Sequence, residues 1–125
     1  MTQKNKHIFV FGIFAVDLSF YVDKKVKPGE TIIAKSSNIG PGGKASNQAI
    51  SARKLGASTT LITRLGNDNF NSYAHDIWRR EKLFASTKID KNLPTGMAGI
   101  FIDNKTGENS VIVDPGASAH LSIDD

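Results

Sequence analysis

Three features of the sequence carry residue types able to hold a small molecule. Asp17 follows a nearly continuous apolar run, His7 to Phe14. If that run is the first strand of an open α/β sheet, Asp17 lies just past its C-terminal end, the edge where such sheets bind ligands. One carboxylate accepts hydrogen bonds from two hydroxyls at once. Gly42-Gly43 stands directly before a helical pattern. It therefore offers free backbone N–H groups and the positive end of a helix dipole. With no Cβ in the way, a ligand can approach the backbone closely. Asn47 falls in the first turn of that helix and adds a donor and an acceptor. Asp17, the Gly42-Gly43 turn and Asn47 could converge on one polyhydroxyl ligand, a sugar. Each also has a plain structural reading, as a turn carboxylate, a tight connection and a first-turn cap.

Two phosphate-binding patterns can be set against the same glycines. A Walker-type loop needs Gly four residues before Gly-Lys and a hydroxyl after it; Asn38 and Ala45 occupy those positions, so the pattern fails. A dinucleotide fingerprint does better, because Gly40, Gly42 and Ala45 fit G-x-G-x-x-A. Arg64, near the end of the next strand, could then meet the 2′-phosphate of NADP in a Rossmann-type domain. Lys35 to Ile39 makes a poor buried strand, however, and Pro41 is awkward in such a turn. NADP stands as the runner-up ligand.

These residues need a scaffold, and 125 residues make one compact domain the default. The His7 to Phe14 run has the pattern of a strand buried on both faces of a parallel sheet. Leu18 to Ile39 is more polar, with a turn at Pro28-Gly29, and reads as a hairpin or flap outside the main sheet. Lys44 to Leu55 reads as a helix with Ala45, Ala49, Ala52 and Leu55 facing inward and Gly56 as its stop. Thr59 to Thr63 is a second core strand. Asn67 or Asp68 can cap a helix over Asn69 to Leu83, where Phe70, Tyr73, Ala74, Ile77 and Trp78 share one face. Met97 to Asp103 and Ser110 to Asp114 read as a β-hairpin. Strand and helix alternate with short connections, which argues for an α/β sheet with right-handed crossovers. Leu121 to Asp125 looks like a helix start with Ser122 as N-cap. A helix begun and not built suggests a chain cut from something longer.

Composition narrows the partners. There is no cysteine, which excludes a disulfide framework, a thiolate nucleophile and Cys-based metal sites. Three scattered histidines make a His-rich metal centre a poor fit. The net charge of +4 is concentrated in the first 54 residues, but the lysines there are dispersed and no aromatic platform interleaves with them. Nucleic acid is set aside as a partner. The run Ile8 to Val16 is too short to span a bilayer and no cleavage site follows it. A cytoplasmic protein without a membrane partner is expected.

Several stretches together resemble the N-terminal part of the ribokinase (PfkB) family of carbohydrate kinases: VFGIFAVDL, KPGETI, GPGGKASNQAISARKLGA, ITRLGNDNF and PTGMAGIFIDNKTGENSVIVDPGA. The similarity runs from Ile8 to about Asp125. It implies the N-terminal part of a three-layer α/β/α, Rossmann-like domain with a small β-sheet lid, drawn from Leu18 to Ser37 and Thr95 to Val113. By the same resemblance Asp17 binds sugar hydroxyls, and Gly42, Gly43, Lys44 and Asn47 close around that sugar. The lid strands often mediate homodimers. The family moves a phosphoryl group from ATP to a sugar hydroxyl with Mg²⁺, in some cases with a monovalent cation. Its catalytic base and nucleotide pocket match no residue here, so no catalytic residue is named and activity of these 125 residues alone is not expected. Two positions depart from the pattern: Ala15 replaces the usual Asn, and Ala45 the usual Gly. They leave the identity of the sugar open. A non-catalytic remnant or binding module is the alternative from a different class.

Overall fold

The computed structural model describes residues 6–125, which form two sheets joined by a shared core. Seven strands are present among these residues: β1 (His7–Phe11), β2 (Ala15–Val22), β3 (Ser36–Gly42), β4 (Ser58–Gly66), β5 (Phe84–Asp90), β6 (Met97–Asp103) and β7 (Asn109–Asp114). Two α-helices, α1 (Lys44–Lys54) and α2 (Asn69–Arg80), and a short 3₁₀ helix over Gly116–His120 complete the order. The first sheet is parallel, in the order β1-β4-β5, with His7 opposite Ser58 and Thr60 opposite Phe84. The second runs β3-β2-β6-β7: β2 is antiparallel to β3, parallel to β6, and β6 is antiparallel to β7. The mixed α/β class is the expected one.

The core lies where α1 and α2 cover one face of the parallel sheet. Phe14, Val16, Ala45, Ala49, Leu61, Leu65, Ala74, Ile77, Trp78 and Leu83 form a single buried cluster. Trp78 meets Phe14 edge-on, with ring centroids 5.2 Å apart, and donates its indole N–H to Ser46 Oγ at 3.1 Å. Burying an indole is favourable only if that N–H finds an acceptor, and Ser46 supplies it. The expected α2 face is present, with Ala74, Ile77 and Trp78 buried and Phe70 and Tyr73 packed beside them. Asp68 caps α2, accepting from the N–H groups of Phe70 and Asn71 at 3.1 and 3.2 Å. The hairpin of β6 and β7 also forms as expected.

Several expectations need correction. The run His7 to Phe14 is not one strand buried on both faces. β1 ends at Phe11, and Phe14 to Val16 turn into the other sheet, where they are buried. Phe9 is 67% exposed because both helices pack on the opposite face. Asp17 therefore lies inside β2 rather than just past the first strand. The inward stripe of α1 is Ala45, Ser46 and Ala49; Leu55 is 89% exposed, since it sits at the C-cap beyond the last helical turn. The helix over Asn69 to Leu83 stops at Arg80. Strand β5 was not anticipated at all. Leu121 to Asp125 forms a hydrogen-bonded turn rather than a helix: Ser122 Oγ accepts from Asp124 N–H at 3.3 Å and Asp125 Oδ2 accepts from Ser122 N–H at 2.9 Å.

Candidate functional site

A cleft of about 640 Å³ opens where the N-terminus of α1 meets both sheets. Strand β2 carries Asp17 into it, held between Gly40 of β3 and Ala98 of β6. The chain then runs from β3 through Gly43 directly into α1, which brings Lys44 and Asn47 to the same rim. Gly43, Lys44, Asn47 and Asp17 thus line one cleft, while Gly42, the last residue of β3, is not in its lining.

Both glycines are required by what surrounds them. A Cβ on Gly42 would overlap the Asp17 carboxylate, so Gly42 makes the space that this side chain occupies. Gly43 has φ +87, and a Cβ there would overlap the Ile13 carbonyl oxygen and crowd Phe14 Cα. An L side chain at that φ is strained even without the clash. Gly43 is also the N-cap of α1 and provides no side-chain cap. The first N–H groups of the helix therefore face the cleft end without a capping side chain.

Burial pushes the Asp17 carboxyl above its ordinary value, and no hydrogen bond or cation offsets that push. None of the ion pairs among the described residues involves Asp17 or Lys44. A half-buried carboxylate lacking protein donors is an acceptor in search of hydroxyls. Asp68, by contrast, is spent on structure. Burial pushes it up, but hydrogen bonds from Thr95, Asn71 and Phe70 outweigh burial and hold it below the usual range.

Sequence reasoning missed the opposite wall. Gln48 adds a further polar group beside Asn47, and Ala98 and Ile100 of β6 with Val111 and Val113 of β7 form an apolar side. The available signal was the alternation within the hairpin: Ala98 sits opposite Val113 and Ile100 opposite Val111, so all four share one face.

The NADP reading loses its geometry here. Gly40 and Gly42 lie on β3, which runs antiparallel at the edge of the second sheet, so no parallel βα turn presents them to a pyrophosphate. Arg64 is already engaged, at 2.9 Å from Asp125 and 3.6 Å from Asp90. Lys88 joins the same Asp125 carboxylate at 3.1 Å. The Arg64 hydrogen bond, with help from Ser122 N–H and Lys88, brings Asp125 down to about 2.

Comparison with known proteins gives a consistent set of likenesses. The profile of the pfkB family carbohydrate kinases matches residues 5–125. A ribokinase of Dictyostelium discoideum is 35% identical over 120 residues, covering 95% of this chain and 37% of that protein. A deoxyribokinase of Salmonella typhi is 36% identical over 121 residues, covering 94% of this chain and 39% of its own length. The ribokinase structure from Giardia lamblia superposes with a TM-score of 0.82 at 31% identity, covering 88% of this chain and 36% of that one. The chain spans less than two fifths of the length of each.

Proposed function

This chain belongs to the pfkB family of carbohydrate kinases, and on that premise we propose that its cleft binds the sugar of an ATP-dependent phosphoryl transfer. The observation that carries the reading is the Asp17 carboxylate, raised by burial and given no protein donor, at the mouth of an uncapped helix.

Each residue then has a definite task. Asp17 accepts hydrogen bonds from two adjacent sugar hydroxyls and fixes the orientation of the ring. Gly42 leaves the room for that carboxylate, and Gly43 lets the sugar approach the backbone. Lys44 and Asn47 offer donors at the rim, with Asn47 also able to accept. The apolar wall of Ala98, Ile100, Val111 and Val113 excludes water from the bound face. In this reading the strands over 18–37 and 95–113 act as a lid, and the exposed β7 lets two copies meet as a homodimer. The setting is cytoplasmic, where ATP is at hand.

The complete reaction moves the γ-phosphoryl group of ATP to a sugar hydroxyl, with Mg²⁺ neutralising charge. The family's catalytic base and nucleotide pocket match no residue here, so ATP, Mg²⁺, any monovalent cation and the catalytic base are assigned to no residue of this chain. We expect the 125 residues alone to bind sugar without phosphorylating it.

Calorimetric titration with ribose, 2-deoxyribose and fructose, beside an ADP-release assay, tests this. Asp17→Asn keeps the volume and removes the charge, and should weaken the binding of the preferred sugar by about 2–3 kcal/mol. Unchanged sugar affinity in a folded Asp17→Asn chain would overturn the assignment. Sugar-dependent ADP release by the parent chain would overturn the placing of the base elsewhere.

A further inference from the structure

The far end of the parallel sheet carries a second concavity, of about 530 Å³, at the starts of β1 and β4 and the ends of α1 and α2. We propose that it is a binding site for a phosphate-bearing small anion, separate from the sugar cleft.

Its lining is cationic without compensation. Lys6, Arg53 and Lys82 border it, together with His7, and no Asp or Glu does. None of these three cations takes part in an ion pair among the described residues. Like charges gathered around one concavity repel one another and raise the local concentration of anions.

A simpler account would have these cations neutralise the negative ends of the two helices. Three of the last four carbonyls of each helix, however, are already taken by backbone donors. At the end of α1, Arg53 O accepts from Gly56 N–H at 3.0 Å and Ala52 O from Ala57 N–H at 3.1 Å. At the end of α2, Arg79 O accepts from Lys82 N–H at 3.1 Å and Trp78 O from Leu83 N–H at 2.8 Å. Arg53 donates Nε–H to Lys82 O at 2.9 Å. That bond fixes the guanidinium at the rim and leaves its two terminal nitrogens to grip an anion in fork geometry.

Lys82 supplies an independent pointer. It has φ +52 and is the only non-glycine residue at positive φ among those described. The equivalent position after α1 is Gly56, at φ +90, the residue type such a helix stop ordinarily uses. After α2 the strained position instead keeps a side chain that places a charge on the rim, and strain of this kind gathers at functional sites. The floor is polar as well. His7 bridges Ser58 Oγ at 2.7 Å and Thr60 Oγ1 at 2.8 Å through its two ring nitrogens. Because both helices point their negative ends here, attraction must come from the side chains, and the site should be sensitive to each of them.

The 125-residue chain is titrated with pyrophosphate at constant ionic strength and followed by amide NMR. Shifts are expected at Gly56, Ala57, Ser58 and Lys82, with Lys44 to Asn47 unmoved. Lys82→Gly should raise the thermal midpoint by removing the strain, yet weaken pyrophosphate about fivefold, the worth of one charge pair near a surface. Arg53→Gln should weaken it at least as much. Inorganic phosphate is the second arm: binding weaker than pyrophosphate supports a ligand with more than one phosphoryl group. Shifts centred on Lys44 to Asn47, or Lys82→Gly binding as well as the parent, would overturn the proposal. So would equal shifts produced by chloride alone.

Discussion

The two sheets use their residues in opposite ways. Strand β4 of the parallel sheet buries Thr59, Thr60, Leu61, Thr63 and Leu65, whereas β7 of the second sheet is exposed at all six positions. The buried cluster draws on α1, α2 and β4, and takes from the second sheet only the start of β2. Apolar burial is the main stabilising term in folding, so the parallel layer holds the molecule together. The second layer contributes less buried apolar surface to that core. Asp17 stands one residue beyond buried Val16, where β2 leaves the core. The carboxylate is thus anchored by the core on one side and faces the exposed sheet on the other.

The strongest way to break this contrast is to cut each layer and compare. Trp78 is 1% exposed and Ile112 is 70% exposed. Trp78→Ala should lower the stability by about 3–5 kcal/mol, and Ile112→Ala should stay within about 0.5 kcal/mol. Urea unfolding curves measure both. Comparable losses at the two positions would mean that the second sheet contributes to the core as much as the first.

The junction gives an intermediate effect. Gly43→Ala places a Cβ against Ile13 and Phe14 at a positive φ and should cost about 1–3 kcal/mol of stability. Gly42→Ala instead drives its Cβ into the Asp17 carboxylate. It should weaken the sugar about tenfold or more, a loss of about 1.4 kcal/mol, with less effect on unfolding than Gly43→Ala. If the two variants exchange these signatures, Gly42 does not serve Asp17.

Acid should separate the two regions with the gentlest perturbation. Asp68 and Asp125 are held below the ordinary carboxylate range. A depressed carboxyl contributes stability that is present above its unfolded value and is lost as pH falls through the folded one. For Asp125 that loss runs down to about 2. Asp17 has the opposite sign, because burial raises it and protonation relieves the cost of its charge. Sugar binding through ionised Asp17 should therefore fade as pH falls, at a higher pH than for an unperturbed aspartate, while circular dichroism still reports a folded chain. Binding that persists until the fold is lost would show that the ionised Asp17 is not the sugar's partner.

Helix α2 was legible because its apolar spacing and its Asp68 cap are local features, and so was the hairpin of β6 and β7. Asp17, the Gly42-Gly43 turn and Asn47 could be named because each side chain or missing Cβ has a distinct chemistry, whereas Lys44 came only with the resemblance to the family. Local pattern failed where the partner lies far along the chain. Phe84–Asp90 alternates weakly and contains Lys88 and Asp90; it becomes a strand because β4 offers a free edge to pair with. The run His7 to Phe14 looked doubly buried, yet only tertiary placement decides that both helices cover one face and leave Phe9 open. Arg64 read as a candidate for a phosphate until Asp125, distant in sequence, closed on it. Periodicity and capping act over one or two turns of chain, so the sequence by itself determined the elements built from local pattern, such as α2 and the β6–β7 hairpin, and the chemical groups they carry. Which face is covered, which edge is paired and which charge is already satisfied depend on contacts across tens of residues, and those only the tertiary structure decided.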